Sequence, residues 1–306
     1  MTPPQTKTPI PPPPSRPAPP VNGARPAPNG SAPPAIIGKA AVLDKRPAVF
    51  QPPRIVLNAV EGWGKTSAAA HADRPVILMA SGETGYDTLL GAGLVPSVDA
   101  AVVSSWPELL ATLDAIIAEP GKYGTVVFDA LAGFDLQCQA HVCHTEFNDD
   151  WSEHGFGSFQ KGYERTAMAW PQALVRLDKI RDTSKATILL LSHVKLEGVR
   201  NPVAPDYDVH SSDSQKRSWP VIAKWSDAVL FGEFETFVKG GAMEEEKIRA
   251  KKGKSYGGTE RILHTERSAG WIAKNRYGMP PILEIPKDYT QVWATIWAAI
   301  TANKAG

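Results

Sequence analysis

Residues 58–67, with the sequence NAVEGWGKTS, constrain the fold of this chain more than any other segment. An apolar stretch at residues 54–57 precedes them, and a small-residue stretch at residues 67–71 follows. A strand, a glycine-bearing loop, a Lys-Thr pair and a helix, in this order, form a phosphate-binding loop. Backbone N–H groups of such a loop, together with the amino end of the helix, surround a phosphate. The sequence therefore predicts a nucleotide site, with ATP and Mg²⁺ as the cofactors.

The expected contacts follow from the roles of the loop positions. Lys65 would reach the β- and γ-phosphates, and the Thr66 hydroxyl would bind Mg²⁺. The predicted nucleotide-binding residues are Ala59, Val60, Glu61, Gly62, Trp63, Gly64, Lys65, Thr66 and Ser67. Ala59 departs from the usual pattern, which has glycine six residues before the lysine. Gly62 and Gly64 still provide two glycines, and a modest backbone adjustment would accommodate alanine; the alternative is a chance Gly-Lys-Thr turn.

Composition divides the chain into two parts. Residues 1–50 hold more than half of the 28 prolines, and such a segment buries too little apolar surface to offset its chain entropy. We expect a disordered proline-rich tail at residues 1–50 and one ATPase domain at residues 51–306. A formal net charge of +1 argues against a generally basic protein that coats nucleic acid. The 2 cysteines, the lack of a signal peptide and the lack of a membrane-length apolar run favour a cytoplasmic protein.

Hydrophobic patterning after residue 54 predicts an α/β fold, with helices on both faces of a mostly parallel sheet. The predicted buried strands are 54–57, 75–80, 101–103, 125–128 and 186–191. The predicted helices are 107–119, 160–181 and a closing helix at 289–302. Shorter strands at residues 228–231 and 261–264 suggest an antiparallel extension of the sheet.

Three polar residues stand where predicted strands end. Asp129 follows the strand 125–128, and a carboxylate there would hold Mg²⁺ or its water; the alternative is a helix cap. Glu83 follows the strand 75–80 and is the candidate general base, unless it is a solvated turn residue. His193 follows the strand 186–191 and would contact the γ-phosphate, unless it is an ordinary surface histidine.

These elements resemble a RecA-like P-loop ATPase core, specifically the phage Sak-type single-strand annealing group. The resemblance spans roughly residues 54–300 and carries the phosphate loop, Glu83, Asp129 and the strand end at His193, where RecA has glutamine. It also covers residues 271–280, which are similar to the Lys-Asn-Lys strand of RecA. It implies that Lys274 and Arg276 reach a neighbouring subunit's ATP as trans-acting fingers; the alternative is two surface cations on an edge strand. With Lys65, Glu83, Asp129 and His193, they complete the predicted catalytic set.

The resemblance implies single-stranded DNA as a partner, together with self-association into a ring or filament. The loops expected to contact DNA are residues 146–162 and 195–219, where cations and aromatic residues mix with acidic ones. A basic segment at residues 247–258 is an alternative phosphate-binding hairpin. A single-strand-binding protein is a candidate partner, and no membrane contact is expected. The implied function is DNA recombination or single-strand annealing; the rivals are a ring-type motor, meaning a helicase or packaging ATPase, and a non-hydrolysing ATP-gated loader.

The sequence also contains one candidate zinc site. Cys138, His141, Cys143 and His144 lie close together in the sequence and have the side chains that zinc prefers. Four ligands within one helix do not easily form a tetrahedron, so the sequence disfavours a structural zinc there without excluding it.

Overall fold

The computed structural model describes Lys45 and residues 49–203, 205–239 and 254–303. The predicted proline-rich tail therefore lies almost entirely outside the described residues. Most of the basic segment at residues 247–258 lies outside them as well. The boundary that the sequence predicts at residue 51 stays a prediction.

Strands and helices alternate along the first two thirds of the described chain. The strands are β1 Arg54–Ala59, β2 Pro75–Ala80, β3 Asp99–Val103, β4 Thr125–Asp129, β5 Thr187–Ser192, β6 Val194–Val199, β7 Tyr207–Ser212, β8 Ala228–Lys239, β9 Lys254–His264, β10 Lys274–Asn275 and β11 Ile282–Ile285. The helices are α1 Lys65–Ala70, α2 Gly85–Gly91, α3 Trp106–Ala118, α4 Leu131–Phe147, α5 Lys161–Ala169, α6 Pro171–Ser184, α7 Trp219–Trp225 and α8 Val292–Thr301. Short 3₁₀ turns at Ser158–Gln160 and Tyr289–Gln291 precede α5 and α8.

One large sheet has the strand order β11-β9-β8-β1-β5-β4-β2-β3, and β10 pairs with β8 beside the end of β9. The strands from β3 to β8 in this order are parallel to their neighbours. By contrast, β9, β10 and β11 pair in antiparallel fashion. The predicted α/β fold, with a mostly parallel sheet and an antiparallel extension, is confirmed.

Side chains that alternate along the strands build a separate core on each face of the sheet. Val56 belongs to the core beneath α3, α4, α6 and α7, whereas its neighbours Ile55 and Leu57 belong to the core beneath α1, α2 and α8. Because both faces are covered, the central strands are apolar throughout, as their continuous hydrophobic runs predicted. The carboxyl ends of β1, β2, β4 and β5 consequently meet at one edge, where ligands bind in sheets of this kind.

The prediction of a single long helix at residues 160–181 is wrong. The chain forms α5 and α6 instead, which meet at Trp170, with Pro171 as the first residue of α6. Proline has no N–H group to donate and its ring clashes with the preceding turn, so the helical pattern cannot continue unchanged through Pro171. Trp170 is fully buried at this junction, where its indole N–H donates to Asp135 at 2.7 Å.

The predicted loop at residues 195–219 contains regular structure that the sequence did not indicate. β6 and β7 pair as an antiparallel hairpin from Val194↔Ser212 to Val199↔Tyr207. This hairpin follows directly after β5, so it projects from the carboxyl edge of the main sheet. No helix among the described residues has the length and the apolar character needed to cross a membrane.

Candidate nucleotide-binding site

The loop between β1 and α1 has the shape that its sequence predicts. Gly62 and Gly64 adopt φ values of 73° and 101°, in the region that favours glycine. Gly64 is constrained a second time, because a Cβ atom there would overlap the ring of Tyr289. The first turn of α1 directs its unpaired N–H groups towards the loop, so the backbone supplies the cradle for a phosphate.

Ala59 takes the place of the usual first glycine without strain. It is the last residue of β1 and pairs with Gly232 of β8, and the next N–H, from Val60, donates to the Gly232 carbonyl at 3.1 Å. A strand residue has an ordinary extended backbone, so alanine is as acceptable as glycine there. The positions of this loop that require glycine are therefore Gly62 and Gly64.

Trp63 anchors the loop to the antiparallel extension. Its side chain is fully buried, and its indole N–H donates to the Ile262 carbonyl at 3.3 Å. A Cβ atom on Gly232 would overlap the indole, so a small residue in β8 makes room for it. The structure therefore places the Trp63 side chain behind the loop, not in the cleft where the nucleotide would lie.

Thr66 and Asp129 form the pair expected at a magnesium site. The Thr66 hydroxyl donates to the Asp129 carboxylate at 2.8 Å. Asp129 is the buried last residue of β4, and burial raises the pKa of its carboxyl group. A hydroxyl and a carboxylate are hard oxygen donors of the type that Mg²⁺ binds, so the residues present fit this ion.

Lys65 lies folded against the loop. Its Nζ atom donates to the Ala59 carbonyl at 2.8 Å, and it lies 3.4 Å from Nδ1 of His193. Burial lowers the pKa of Lys65, although the charge of Asp129 opposes this effect. An incoming phosphate would offer Lys65 a stronger partner than a carbonyl.

Glu83 is half-buried between β2 and α2 and lines the same cleft as Lys65 and Asp129. Burial raises the pKa of its carboxyl group, and the negative charge of Asp129 raises it further. A carboxylate with a raised pKa is a better proton acceptor at neutral pH than an ordinary glutamate. The structure thus brings together four of the predicted catalytic residues, including His193.

The opposite wall of the cleft comes from a segment that sequence reasoning missed. The cleft has a volume of about 690 Å³. It is lined by Gly62, Gly64, Lys65, Thr66, Ser67, Glu83, Gly85, Leu89, Gly93, Leu94, Asp129, His193, Lys287, Asp288, Tyr289 and Thr290. The sequence predicts a closing helix from residue 289, whereas the structure forms a 3₁₀ turn at Tyr289–Gln291 and begins α8 at Val292. A tyrosine just before an amphipathic helix gave no sequence signal that it faces a loop more than 200 residues away.

Arg261 holds this wall in place. It is buried at 4% exposure, and its guanidinium donates to the Trp63 carbonyl at 3.2 Å. The same group donates to the carbonyls of Pro286 and Lys287 at 2.6 and 2.5 Å. It also lies 4.0 Å from the centre of the Tyr289 ring. One side chain therefore ties the phosphate loop to the wall that faces it.

Lys274 and Arg276 lie away from this cleft. Lys274 pairs with Val229 at the start of β8 and donates to the Ala223 carbonyl. Arg276 is 54% exposed and forms an ion pair with Asp227 at 3.3 Å. β10 ends at Asn275, so Arg276 is not part of the strand expected to align the two cations. Both residues lie at the amino edge of the parallel strands, opposite the phosphate loop.

The suggested zinc site is not supported. Cys138 and Cys143 are buried, whereas His144 is exposed and contacts Asp149 at 2.9 Å. Within the described parts of the chain, no group of three or more histidine, cysteine, aspartate or glutamate side chains is placed to hold a metal ion.

The two predicted DNA loops contact each other. Phe159 is 92% exposed, and it and Gln160 both have left-handed backbone conformations. Arg217, beyond β7, donates to the Gln160 side chain at 3.0 Å. Trp151 is 53% exposed and packs on Phe156, with ring centres 4.8 Å apart. We call Trp151, Phe159, Lys161, Lys216 and Arg217 the aromatic-basic surface.

The site combines a phosphate loop, the hydroxyl-carboxylate pair of Thr66 and Asp129, and the second carboxylate of Glu83, all at the carboxyl edge of a parallel sheet. This combination defines a P-loop nucleotide-binding domain. The model of a family described as an AAA domain, AAA_24, matches residues 51–277, and the chain belongs to this family. This confirms the predicted class, a P-loop ATPase domain. The phage Sak-type subgroup stays a prediction. The wall at residues 287–290 lies beyond the matched region.

Comparison with curated proteins gives no match. Among solved structures, the crystal structure of the RadB recombinase is 10% identical in sequence, with a TM-score of 0.41. The similarity covers 78% of this chain and 90% of that chain.

Proposed function

We propose that this protein is a Mg²⁺-dependent ATPase that acts on single-stranded DNA. The observation that carries the first half is the 2.8 Å hydrogen bond between Thr66 and Asp129, beside the buried Lys65. This arrangement matches what phosphoryl transfer needs, because its catalysis consists mainly of positioning and of charge stabilisation. Mg²⁺ would be held by the Thr66 hydroxyl and the Asp129 carboxylate, and when bound it would neutralise charge on the phosphates.

The remaining residues divide the work of hydrolysis. The Lys65 ammonium would leave the Ala59 carbonyl and bind the terminal phosphates. Glu83 would orient a water molecule and accept its proton, a role to which its raised pKa suits it. His193 would contact the γ-phosphate from the end of β5. Leu94 and Tyr289 offer an apolar and an aromatic face for the base, since both line the cleft beyond the loop.

The second half of the proposal rests on the aromatic-basic surface. The Phe159 side chain is 92% exposed, so its ring is available to stack on a base. Lys161, Lys216 and Arg217 would attract the phosphates around it. Both segments of this surface project from the same sheet edge as the nucleotide cleft, which supports a link between ATP and DNA. Together with the resemblance to annealing ATPases, this favours a role in recombination or single-strand annealing.

Self-association is part of the same proposal. Lys274 and Arg276 are a whole strand length from the phosphate loop, so in this proposal they act on the nucleotide of a neighbouring subunit. The cations Arg54, Arg181, Lys274 and Arg276 surround Asp227, and this excess of positive charge suits an incoming phosphate. A ring or a filament would satisfy this geometry.

The direct test is ATP hydrolysis with and without single-stranded DNA over a series of salt concentrations. We expect DNA to stimulate hydrolysis, and the stimulation to fade as salt screens the phosphate contacts. Lys65→Ala should abolish nucleotide-dependent activity, while substitution of the exposed Lys122 in the turn after α3, Lys122→Ala, should not change it. Tight ATP binding without phosphate release would favour the loader alternative, and length-dependent duplex unwinding would favour the motor.

A further inference from the structure

Asp288 marks the end of the nucleotide cleft that lies away from the phosphates. It lines the cleft, and hydrogen bonds from Thr290 lower the pKa of its carboxyl group, which the nearness of His71 lowers further. His71 directly follows α1, about 9 Å along the helix from Lys65 at a rise of about 1.5 Å per residue. With the phosphates bound at Lys65, the base of the nucleotide would therefore lie at the Asp288 end.

The Asp288 carboxylate is held through one of its two oxygen atoms. Oδ1 accepts from the backbone N–H of Thr290 at 2.9 Å and from the Thr290 hydroxyl at 2.8 Å, and so caps the 3₁₀ turn. No residue in the described part of the chain donates to Oδ2. The carboxylate thus has a defined position and keeps one acceptor atom for a ligand.

The neighbouring polar side chains of the wall are already engaged. The Lys287 ammonium pairs with Glu260 at 2.6 Å, and the Thr290 hydroxyl donates to Asp288. The facing side of the cleft contributes Leu89 and Leu94, which have no polar atoms in their side chains. A hydrogen bond to the edge of a base at this end of the cleft therefore falls to Asp288.

A carboxylate restricts which base it can accept, because it accepts hydrogen bonds and donates none. Adenine carries a donor amino group at N6, and guanine carries one at N2. Hypoxanthine has neither, and it has a keto oxygen where adenine has N6. A keto oxygen that faces a carboxylate is repelled and gains no hydrogen bond.

We propose that Asp288 selects the nucleotide by accepting a hydrogen bond from the exocyclic amino group of a purine base that lies between Leu94 and Tyr289. This inference rests on the proposed nucleotide site and deepens it by naming the group that recognises the base. With ATP as the substrate, the donor is N6 of adenine. Residue 288 lies beyond residues 51–277, so a segment outside the matched family region sets the base preference.

The test measures the binding of ADP, IDP and GDP to the full chain with Mg²⁺ by isothermal titration calorimetry. IDP carries hypoxanthine and lacks both amino groups. The wild type should bind ADP at least about fivefold more tightly than IDP, as expected for the loss of a hydrogen bond to an exposed charged group. In Asp288→Asn this ratio should fall to about one or below, because asparagine donates to the keto oxygen. Its side-chain oxygen still accepts from Thr290, so the turn keeps its cap.

Asp87→Asn is the matched control. Asp87 is exposed on α2 and is not among the described residues that line the cleft, so its substitution should leave the ratio of ADP to IDP affinity at the wild-type value. A purely structural effect of Asp288→Asn would weaken all three diphosphates alike. An unchanged ratio in Asp288→Asn, or a ratio that Asp87→Asn abolishes instead, would overturn the role of Asp288.

The remaining outcomes separate the base from the sugar and this inference from the proposed function. Equal affinity of the wild type for ADP and IDP would overturn the inference and leave the phosphate site intact. Weaker binding of 2′-deoxy-ADP that Asp288→Asn abolishes would place the carboxylate at the ribose and overturn it as well. A preference for GDP that is lost in Asp288→Asn would keep the role of Asp288 and identify the amino group as N2 of guanine. A wild type that binds no diphosphate would overturn the proposed function itself.

Discussion

Replacement of Arg261 with methionine should weaken both the fold and the nucleotide site. Arg261 is buried at 4% exposure and donates to three carbonyl groups, those of Trp63, Pro286 and Lys287. Methionine has a similar length and fills the space, but it donates to none of them. The phosphate loop and the wall at residues 287–290 would then be held only by their apolar contacts.

The size of the effect follows from these contacts. A hydrogen bond to a charged group contributes about 1.5–3 kcal/mol, and an arginine stacked on an aromatic ring adds about 0.5–2 kcal/mol. Removal of a buried charge recovers part of its desolvation cost, so the net loss should be roughly 3 kcal/mol, below the sum. For a domain of this size, 1 kcal/mol corresponds to about 2–4 °C in Tm, so we expect a decrease of about 6–12 °C.

Thermal unfolding followed by circular dichroism measures this change. Arg267→Met is the matched control, because Arg267 is exposed in the turn after β9, and its Tm should stay within about 1 °C of the wild type. Arg261→Lys should fall between the two, since an ammonium group cannot reproduce the planar fork. Below its Tm, Arg261→Met should also bind nucleotide at least about fivefold more weakly, a loss of about 1 kcal/mol. If Arg261→Met has the same Tm as the wild type, the hydrogen bonds from Arg261 that join the phosphate loop to the wall do not stabilise the fold.

Three further predictions address the site and its partners. Glu83→Gln should keep ATP binding and lose turnover. The raised pKa of Glu83 means that its ionised form destabilises the folded state, so this variant should also be more stable than the wild type at neutral pH. The difference in stability should vanish as the pH falls below about 4, where the glutamate is protonated in both the folded and the unfolded state. Arg276→Ala should reduce turnover of the assembled protein without weakening ATP binding by isolated subunits, and unchanged turnover in the assembly would remove it from a trans-acting role. Phe159→Ala should weaken binding of single-stranded DNA about fivefold or more, as expected from the loss of one stacked base. Substitution of the exposed Val175 on α6, Val175→Ala, should leave this affinity unchanged. Equal affinities of both variants, measured by fluorescence anisotropy, would exclude stacking on Phe159.

The sequence predicts the parts of this fold that depend on local pattern. The continuous apolar run at residues 75–80 matches β2, and the run at residues 125–128 matches β4 except for its last residue, Asp129. Such runs identify buried strands because both faces of the sheet are covered. The phosphate loop could be predicted equally well, since its glycines and its Lys-Thr pair are close together in the chain.

The wall of the cleft could not be predicted in the same way. The contacts between Trp63 and Arg261, and between Gly64 and Tyr289, join residues about 200 positions apart, and no local pattern encodes them. The β6–β7 hairpin was missed because residues 194–212 alternate weakly between apolar and polar side chains, as a two-stranded ribbon with little core contact does. In both cases the tertiary partner, not the local sequence, decides the structure.

The position of Arg276 constrains how subunits would assemble. It pairs with Asp227, which also binds Arg54 at the first residue of β1, whereas the phosphate loop follows Ala59 at the last. At a rise of about 3.3 Å per residue, the six residues of β1 separate the two ends by roughly 17–20 Å. No rotamer of an arginine side chain spans that distance, so Arg276 cannot serve the site of its own subunit. If it stabilises a transition state at all, the amino edge of one sheet must face the carboxyl edge of the next. Such a contact joins two different surfaces and generates a ring or a filament, not a two-fold dimer.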